Sequence, residues 1–429
     1  MRLLYRMLFF IFSIGYLPFF FFKGKHREGF AERLGWIPRK VQLKLAGKKV
    51  VWIHAVSVGE SILALHFLEA LKKEQPSVTI LITVTTPTAR EMVQKKKKDE
   101  DVLLYLPVDF KGAVRRFADA VKPAALVLFE TEIWPNLIWE LSDRQVPIFI
   151  VNGRISEKAL HAYQKVSFFL KPILNRIRKI GAQDETMKRR FLDLGADPAR
   201  VEVTDNLKYA LRPDTGPAAP WAEKIRSVFG KSKMFLLIAG STHEGEEELL
   251  FNLYPTLAAS DRDFRMLLAP RHVERVPAVL EKARALGVPA ERLSEARWTA
   301  DSLAPVLILD KMGVLSGLYA EAEAVFIGGS LVPVGGHNPT EPAVFGKAVL
   351  FGPHMQNFQE MAEEFVRSNA ALRIQSAEEL KERIEALAKD PERRAALGAA
   401  AKELIERHQS ALRKNLEMIL TPIKGVFEP

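Results

Sequence analysis

The chain contains no cysteine in 429 residues. That absence excludes a disulfide framework, a thiolate zinc site and a cysteine nucleophile. No grouping of His, Asp and Glu at ligand spacing argues for a divalent metal. A broad Lys/Arg stripe interleaved with aromatics, which nucleic-acid binding would need, is also missing. The run Lys95 to Lys98 is followed at once by Asp99, Glu100 and Asp101, so its charge is neutralised locally. Long uncharged stretches are scarce except at the N-terminus, where sixteen residues from Met7 to Phe22 carry no charge.

At about 1.5 Å per residue, twenty helical residues reach about 30 Å, the thickness of a bilayer core. A single span and a shallow monotopic anchor both fit. The apolar stretch runs into Phe22-Lys23-Gly24-Lys25-His26-Arg27 rather than the small residues of a cleavage site, which predicts an uncleaved anchor over residues 1–22. Across residues 23–49, nine Lys/Arg face two Glu, a net +7 of the chain's +10. Such a flank is expected to hold the folded body on the cytoplasmic side, against anionic lipid.

From Val50 onward, short apolar runs alternate with amphipathic stretches, at Val50 to His54, Val78 to Val84, Leu103 to Leu106, Ala124 to Phe129 and Val146 to Val151. Weaker strands follow at Lys179 to Ala182 and Val201 to Thr204. Continuous apolar strands between helices imply a parallel sheet covered on both faces. Three prolines in Arg212 to Pro220 break the pattern, so residues 212–232 are expected to link a first domain, 50–211, to a second, 233–429. The alternation then restarts at Met234 to Ala239, Arg265 to Ala269, Val306 to Leu309, Ala324 to Ile327 and Ala348 to Phe351. The expected architecture is α/β, with two Rossmann-like doubly wound domains facing across a cleft and a last helix, Pro391 to Leu420, crossing back.

Each candidate chemical residue lies just beyond a predicted strand. Gly335-Gly336-His337-Asn338-Pro339-Thr340-Glu341 turns a strand into a helix, an arrangement that offers N–H groups to a phosphate and a carboxylate to a ribose diol. A helix-end charge is the alternative reading of Glu341. Ser57-Val58-Gly59-Glu60 places a carboxylate where it can act as a general base, or serve the helix dipole. Glu130-Thr-Glu-Ile-Trp-Pro-Asn136 and Asp205-Asn-Leu-Lys208 end two further strands. In the second half, Ser241 or Thr242 is expected to cap an acidic helix, with His243 and Glu244 as a capping pair rather than metal ligands. Pro270-Arg271-His272 offers a guanidinium to a phosphate.

Taken in order, His54-Ala-Val-Ser-Val-Gly-Glu60, Glu130 to Asn136, Asn206-Leu-Lys208, Ser241-Thr-His-Glu-Gly-Glu246, Pro270-Arg-His272 and Gly335 to Glu341 resemble the 3-deoxy-D-manno-octulosonic acid (Kdo) transferases of lipopolysaccharide synthesis over essentially the whole chain. The resemblance implies a GT-B glycosyltransferase of the bacterial inner membrane that moves Kdo from CMP-Kdo to a lipid A precursor, with inversion and without metal or cofactor. It implies Glu60 as proton acceptor and Glu130 and Lys208 as transition-state stabilisers. Pro270 and Arg271, Met312, Gly313 and Val314, and Asn338, Pro339, Thr340 and Glu341 match its CMP-binding segments. Val314 departs from the glutamate of many relatives, a harmless change if that position binds through its backbone N–H. Arg27, Arg33 and Arg39 would suit the phosphates of the lipid acceptor. Competing expectations are another GT-B transferase, a UDP-sugar epimerase, or a membrane-anchored sugar-nucleotide sensor without turnover.

Overall fold

The protein's computed structural model describes residues 1–22, 28–210, 215–229, 234–260, 263–299, 303–408 and 410–427, with side chains described except at 15–22, 229 and 423–427. It divides into two compact units, Met1–Leu211 with His408–Pro429, and Arg212–Arg407.

The first unit is built on β1 (Val50–His54), β2 (Thr79–Val84), β3 (Val102–Tyr105), β4 (Pro123–Phe129), β5 (Ile148–Gly153), β6 (Lys179–Ala182) and β7 (Val201–Val203). All pair in parallel, in the order β3-β2-β1-β4-β5-β6-β7. Because side chains alternate along a strand, each strand feeds two cores. On one face Trp52 packs against Phe117 at 4.7 Å between ring centres; on the other Phe67 meets Phe129 at 5.8 Å. The order reverses direction between β1 and β4, where a doubly wound sheet opens a crevice at its strand carboxyl ends.

The C-terminal stretch expected as one helix is two. Pro391–His408 lies almost wholly in the second unit, and Ser410–Phe427 belongs to the first. Ala411, Leu416, Met418 and Ile419 are buried in the core on one face of the first sheet, where the helix packs on Val58–Glu74, β5 and β6. Buried Asn415 accepts from Thr204 at 3.0 Å and donates to the Thr204 carbonyl at 3.3 Å.

The expected anchor does form a helix, Arg2–Phe22, but among the described residues no helix is long and apolar enough to cross a membrane. Its first two turns dock on the protein instead. Arg2 pairs with Asp143 at 2.6 Å, Tyr5 donates to Asp109, and Phe9 packs on Phe110 at 5.1 Å. Leu3, Leu4, Leu8 and Ile11 remain exposed. Of the arginines expected to meet acceptor phosphates, Arg27 lies outside the described residues. Arg33 is buried, its guanidinium donating to the Thr85 carbonyl at 2.7 Å and lying 4.1 Å from the Tyr105 ring centre, so it supports the fold rather than a surface anion.

The second unit carries β8 (Phe235–Thr242), β9 (Phe264–Pro270), β10 (Ala290–Arg292), β11 (Val306–Ile308), β12 (Ala324–Ile327), β13 (Ala348–Phe351) and β14 (Ala371–Arg373). These strands are also parallel, in the order β10-β11-β9-β8-β12-β13-β14, with the reversal between β8 and β12. Ala219–Phe229, inside the stretch expected as a linker, is a helix whose Ala222 and Ile225 are buried.

Candidate functional site

In the first unit the chemistry gathers at the β1/β4 reversal. Ser57 caps the helix Val58–Glu74: its hydroxyl accepts the Glu60 N–H at 3.2 Å, while the Glu60 carboxylate accepts the N–H groups of Val56 at 2.9 Å and Ser57 at 3.3 Å. This reciprocal arrangement satisfies helix-end donors and fixes the carboxylate's direction. Glu60 is therefore a capping residue as well as a candidate base, and the two readings made from sequence coexist.

Glu130 follows β4 with φ +56, a left-handed conformation that costs a non-glycine residue free energy and clusters at functional sites. Asn152 (φ +57), Asp205 (φ +62) and Ser241 (φ +58) share it, each at the carboxyl end of a strand. Lys208 Nζ lies 3.5 Å from Glu130 Oε1. Burial raises the Glu130 carboxyl above the ordinary range; Lys208 opposes the rise, and Glu60 adds to it. Glu132, two residues on, is pushed up to about 7, first by burial and then by the charge of Glu60, although Trp134 Nε1 donates to it at 3.0 Å. Three carboxylates and one ammonium thus share the crevice, a buried ionisable cluster that marks a candidate site for proton transfer.

Two positioning residues, Asn152 and Arg154, carried no sequence signal. Asn152 Oδ1 accepts the Leu207 N–H at 3.0 Å and so seats the short helical turn that carries Lys208. Thr131 and Arg154 exchange hydrogen bonds, the Thr131 hydroxyl to the Arg154 carbonyl and the Arg154 N–H to the hydroxyl, which ties the Glu130 loop to the end of β5.

In the second unit the β8/β12 reversal brings together the loops after β8, β9 and β12. Ser241 and Thr242 do not cap a helix as expected. They finish β8, and the helix Glu246–Ser260 starts only after a turn at Gly245 (φ +95). The capping runs the other way, with the Glu246 carboxylate accepting the His243 N–H at 3.0 Å. His243 does not pair with Glu244; its ring meets His337, Nε2 to Nε2, at 2.9 Å. Arg271, exposed after Pro270 ends β9, donates its N–H to the Thr242 carbonyl at 2.9 Å. Burial raises the Glu341 carboxyl, and Arg271 acts against that rise.

The glycine loop differs from its expected form. Gly335 (φ +108) and Gly336 (φ +73) hold conformations closed to other residues, but the space a Cβ would take is filled by Asn357, 2.5 Å away, and Met355, 2.3 Å away, rather than kept for a ligand. The helix opened by Pro339 is only Thr340–Ala343, and Asn338 Oδ1 already accepts the Thr340 N–H at 3.0 Å. One N–H of its first turn is thus engaged within the loop itself. Met312 is 81% exposed, Gly313 has open space on its Cβ side, and Val314 is buried. Only the backbone of Val314 is left to meet a ligand. Among the described residues no group of three or more His, Cys, Asp or Glu could hold a metal ion.

Residues 28–211 match the family model described as 3-Deoxy-D-manno-octulosonic-acid transferase (kdotransferase). The 3-deoxy-D-manno-octulosonic acid transferase of Haemophilus influenzae is 32% identical over 92% of this chain and 91% of its own length. That of Aquifex aeolicus is 29% identical over 78% of this chain and 84% of its own. Among solved structures, the UDP-GlcNAc 2-epimerase of Neisseria meningitidis bound to UDP-GlcNAc superposes with a TM-score of 0.52 over 84% of this chain and 99% of that one, at 14% identity, a likeness of fold alone.

Proposed function

The chain belongs to the 3-deoxy-D-manno-octulosonic acid transferase family of glycosyltransferases, and from that premise we propose that it transfers Kdo from CMP-Kdo to a lipid A precursor, inverting the anomeric carbon without a metal. The single observation that carries the reading is the grouping of Glu60, Glu130 and Lys208 at one sheet reversal, with Lys208 at 3.5 Å from Glu130.

Three tasks must be met. The acceptor hydroxyl must lose a proton, the anionic sugar must be held as its ketosidic bond to phosphate breaks, and charge on the leaving CMP must be stabilised. Glu60, directed by two backbone N–H groups, serves the first task. Lys208, held beside Glu130, supplies a fixed positive charge for the second. Arg271 serves the third, and the Glu341 carboxylate accepts hydrogen bonds from the ribose hydroxyls. Ser241, Thr242, Gly335 and Gly336 shape the loops that carry these groups.

A second reading of the base is favoured by Glu132. A carboxyl near pH 7 is better matched to proton abstraction than an ordinary one, because the best catalytic pKa lies near the operating pH. Membrane association is the remaining element. The exposed Leu3, Leu4, Leu8 and Ile11 of the docked N-terminal helix, next in sequence to the +7 segment, support a surface anchor in the inner membrane.

The test is incubation with CMP-Kdo and a tetraacylated lipid A precursor, with mass analysis of the lipid. Addition of Kdo supports the reading. A protein that binds CMP-Kdo and leaves the lipid unchanged is a sensor, and one that acts on a UDP-sugar instead is a different enzyme.

A further inference from the structure

Three histidines from three loops converge in the second unit. His243 follows β8, His272 follows β9, and His337 closes the glycine loop after β12. The His243 and His337 rings lie parallel within 7°, 5.2 Å between centres, and their Nε2 atoms are 2.9 Å apart. His272 stands edge-on to His243 at 6.2 Å.

The pairing is built by its surroundings. The Glu246 side chain, fully buried, accepts the N–H groups of His243 at 3.0 Å, Gly329 at 2.7 Å, Ser330 at 3.0 Å and Leu331 at 3.0 Å. One carboxylate thereby ties the turn of His243 to the start of the loop that ends in His337. Gly329 sits beneath both rings; a Cβ there would stand 3.2 Å from His243 Cδ2 and 3.3 Å from His337 Cδ2. A side chain at 329 would press on both rings at once, whereas glycine leaves them room to meet.

Two imidazoles joined through the same nitrogen have restricted proton states. One Nε2 must carry hydrogen and the other must offer a lone pair, so the neutral pair holds opposite tautomers. A single added proton goes to the outer nitrogen of the donor ring and leaves the central bond in place, now assisted by charge. A second proton would break it. The pair is a one-proton device.

In the free protein that proton is kept off. His337 is pushed down to about 4 by burial and by the charges of His243, Arg271 and His272; His243 is lowered by burial first and then by His272, Arg275 and Arg271. Of the facing carboxylates, Glu247 is engaged by Arg275 at 2.7 Å, Glu246 is spent on backbone N–H groups, and the exposed Glu274 lies 3.5 Å from Nδ1 of His272, on the ring that stands edge-on to His243. An anion docked on Arg271 and His272 would cancel the positive field that opposes protonation.

We propose that His243 and His337 form a proton-taking pair that charges when the donor's phosphate docks beside Arg271 and His272, and then stabilises that phosphate as it departs. The proton comes from solvent on binding and stays on the imidazoles, and no covalent bond forms or breaks in this step. The inference rests on the assignment of CMP to this unit.

Calorimetric titration of the full chain with CMP at pH 7.5, repeated in buffers of different ionisation enthalpy, tests it. At that pH the nucleotide phosphate is already almost wholly dianionic and adds little of its own. Net proton uptake is expected, absent with cytidine, and absent with CMP in His243→Asn and His337→Gln, whose side chains keep a hydrogen bond but cannot titrate. CMP affinity should rise by up to about tenfold per unit of falling pH in the wild type between pH 8.5 and 7, and stay flat in the variants. CMP binding without proton uptake by the wild-type protein overturns the pair's role, as does uptake that persists in both variants. Failure of CMP to bind at any pH overturns the nucleotide assignment itself, and this proposal with it.

Discussion

Tyr5 donates its phenolic hydrogen to Asp109 at 2.8 Å, and the same buried carboxylate accepts the N–H groups of Asn136 and Leu137, each at 2.9 Å. Asn136 returns a bond to the Asp109 carbonyl at 2.5 Å and accepts from Arg6 Nε at 3.0 Å. The N-terminal helix is therefore fastened to the first turn of the helix Pro135–Asp143, directly after the loop that carries Glu130 and Glu132. Since the chemical motifs start at His54, sequence gave no reason for residues 1–22 to matter to the catalytic unit. The structure gives one. Tyr5→Phe should lower urea stability of the first unit by about 1 kcal/mol, the usual worth of one hydrogen bond, and removal of residues 1–22 should lower it further.

The same carboxylate imposes a pH dependence. Burial is the main cause that lifts Asp109 to about 6 from 3.8, against the pull of its hydrogen bonds. A carboxyl raised in the folded state binds its proton more tightly there, so its contribution is full below about pH 4 and is lost as pH climbs through 6. The span is on the order of 1–3 kcal/mol. Urea midpoints measured from pH 4 to 7 should fall over that window by more in the wild type than in Asp109→Asn.

Much of this was legible in the sequence. Runs such as Val50 to His54, apolar up to its last residue, and Ala324 to Ile327, apolar throughout, read as strands because helices cover both faces, and they became strands with unchanged limits. Ala290–Arg292 and Ala371–Arg373 were not foreseen, since three-residue edge strands with charged ends bury too little to leave a pattern. Glycines and carboxylates at strand ends marked the loops correctly. Their partners were hidden, because His243 meets His337 across 94 positions and Asn136 serves Asp109 across 27, separations that no local periodicity encodes.

Glu60→Gln and Glu132→Gln separate the two readings of the base. Glutamine keeps one carbonyl oxygen for the shorter bond, from the Val56 N–H at 2.9 Å, and gives up the 3.3 Å bond from the Ser57 N–H, so the cap is weakened but not removed while the charge goes. Turnover should fall at least about 100-fold in Glu60→Gln with CMP affinity intact. Glu132→Gln should instead change turnover only roughly a few fold and leave the pH dependence near 7, where an ionising Glu132 base would make the rate rise with pH, unaltered. A reversal of these outcomes transfers the role of base to Glu132.

Lys208→Met removes the leading cation that holds the Glu130 carboxyl down, leaving burial and the charge of Glu60 to raise it against Arg154 alone. Transfer should drop sharply at pH 7 and recover in part at higher pH as Glu130 ionises. Equal loss at every pH would assign Lys208 to substrate alone.

Arg271→Ala and Glu341→Ala test the second unit. The Arg271 charge opposes the rise that burial imposes on Glu341, so the guanidinium helps to keep that carboxyl ionised. A charge-assisted hydrogen bond is worth about 1.5–3 kcal/mol, which converts to a loss of CMP affinity of roughly 10- to 150-fold for either variant. Cytidine, which keeps the ribose and lacks the phosphate, should distinguish them by calorimetry: its affinity should fall in Glu341→Ala and change little in Arg271→Ala. Equal losses for CMP and cytidine in Arg271→Ala would mean that the guanidinium acts by keeping Glu341 ionised rather than by meeting the phosphate, and the leaving-group charge would then fall to the histidine pair.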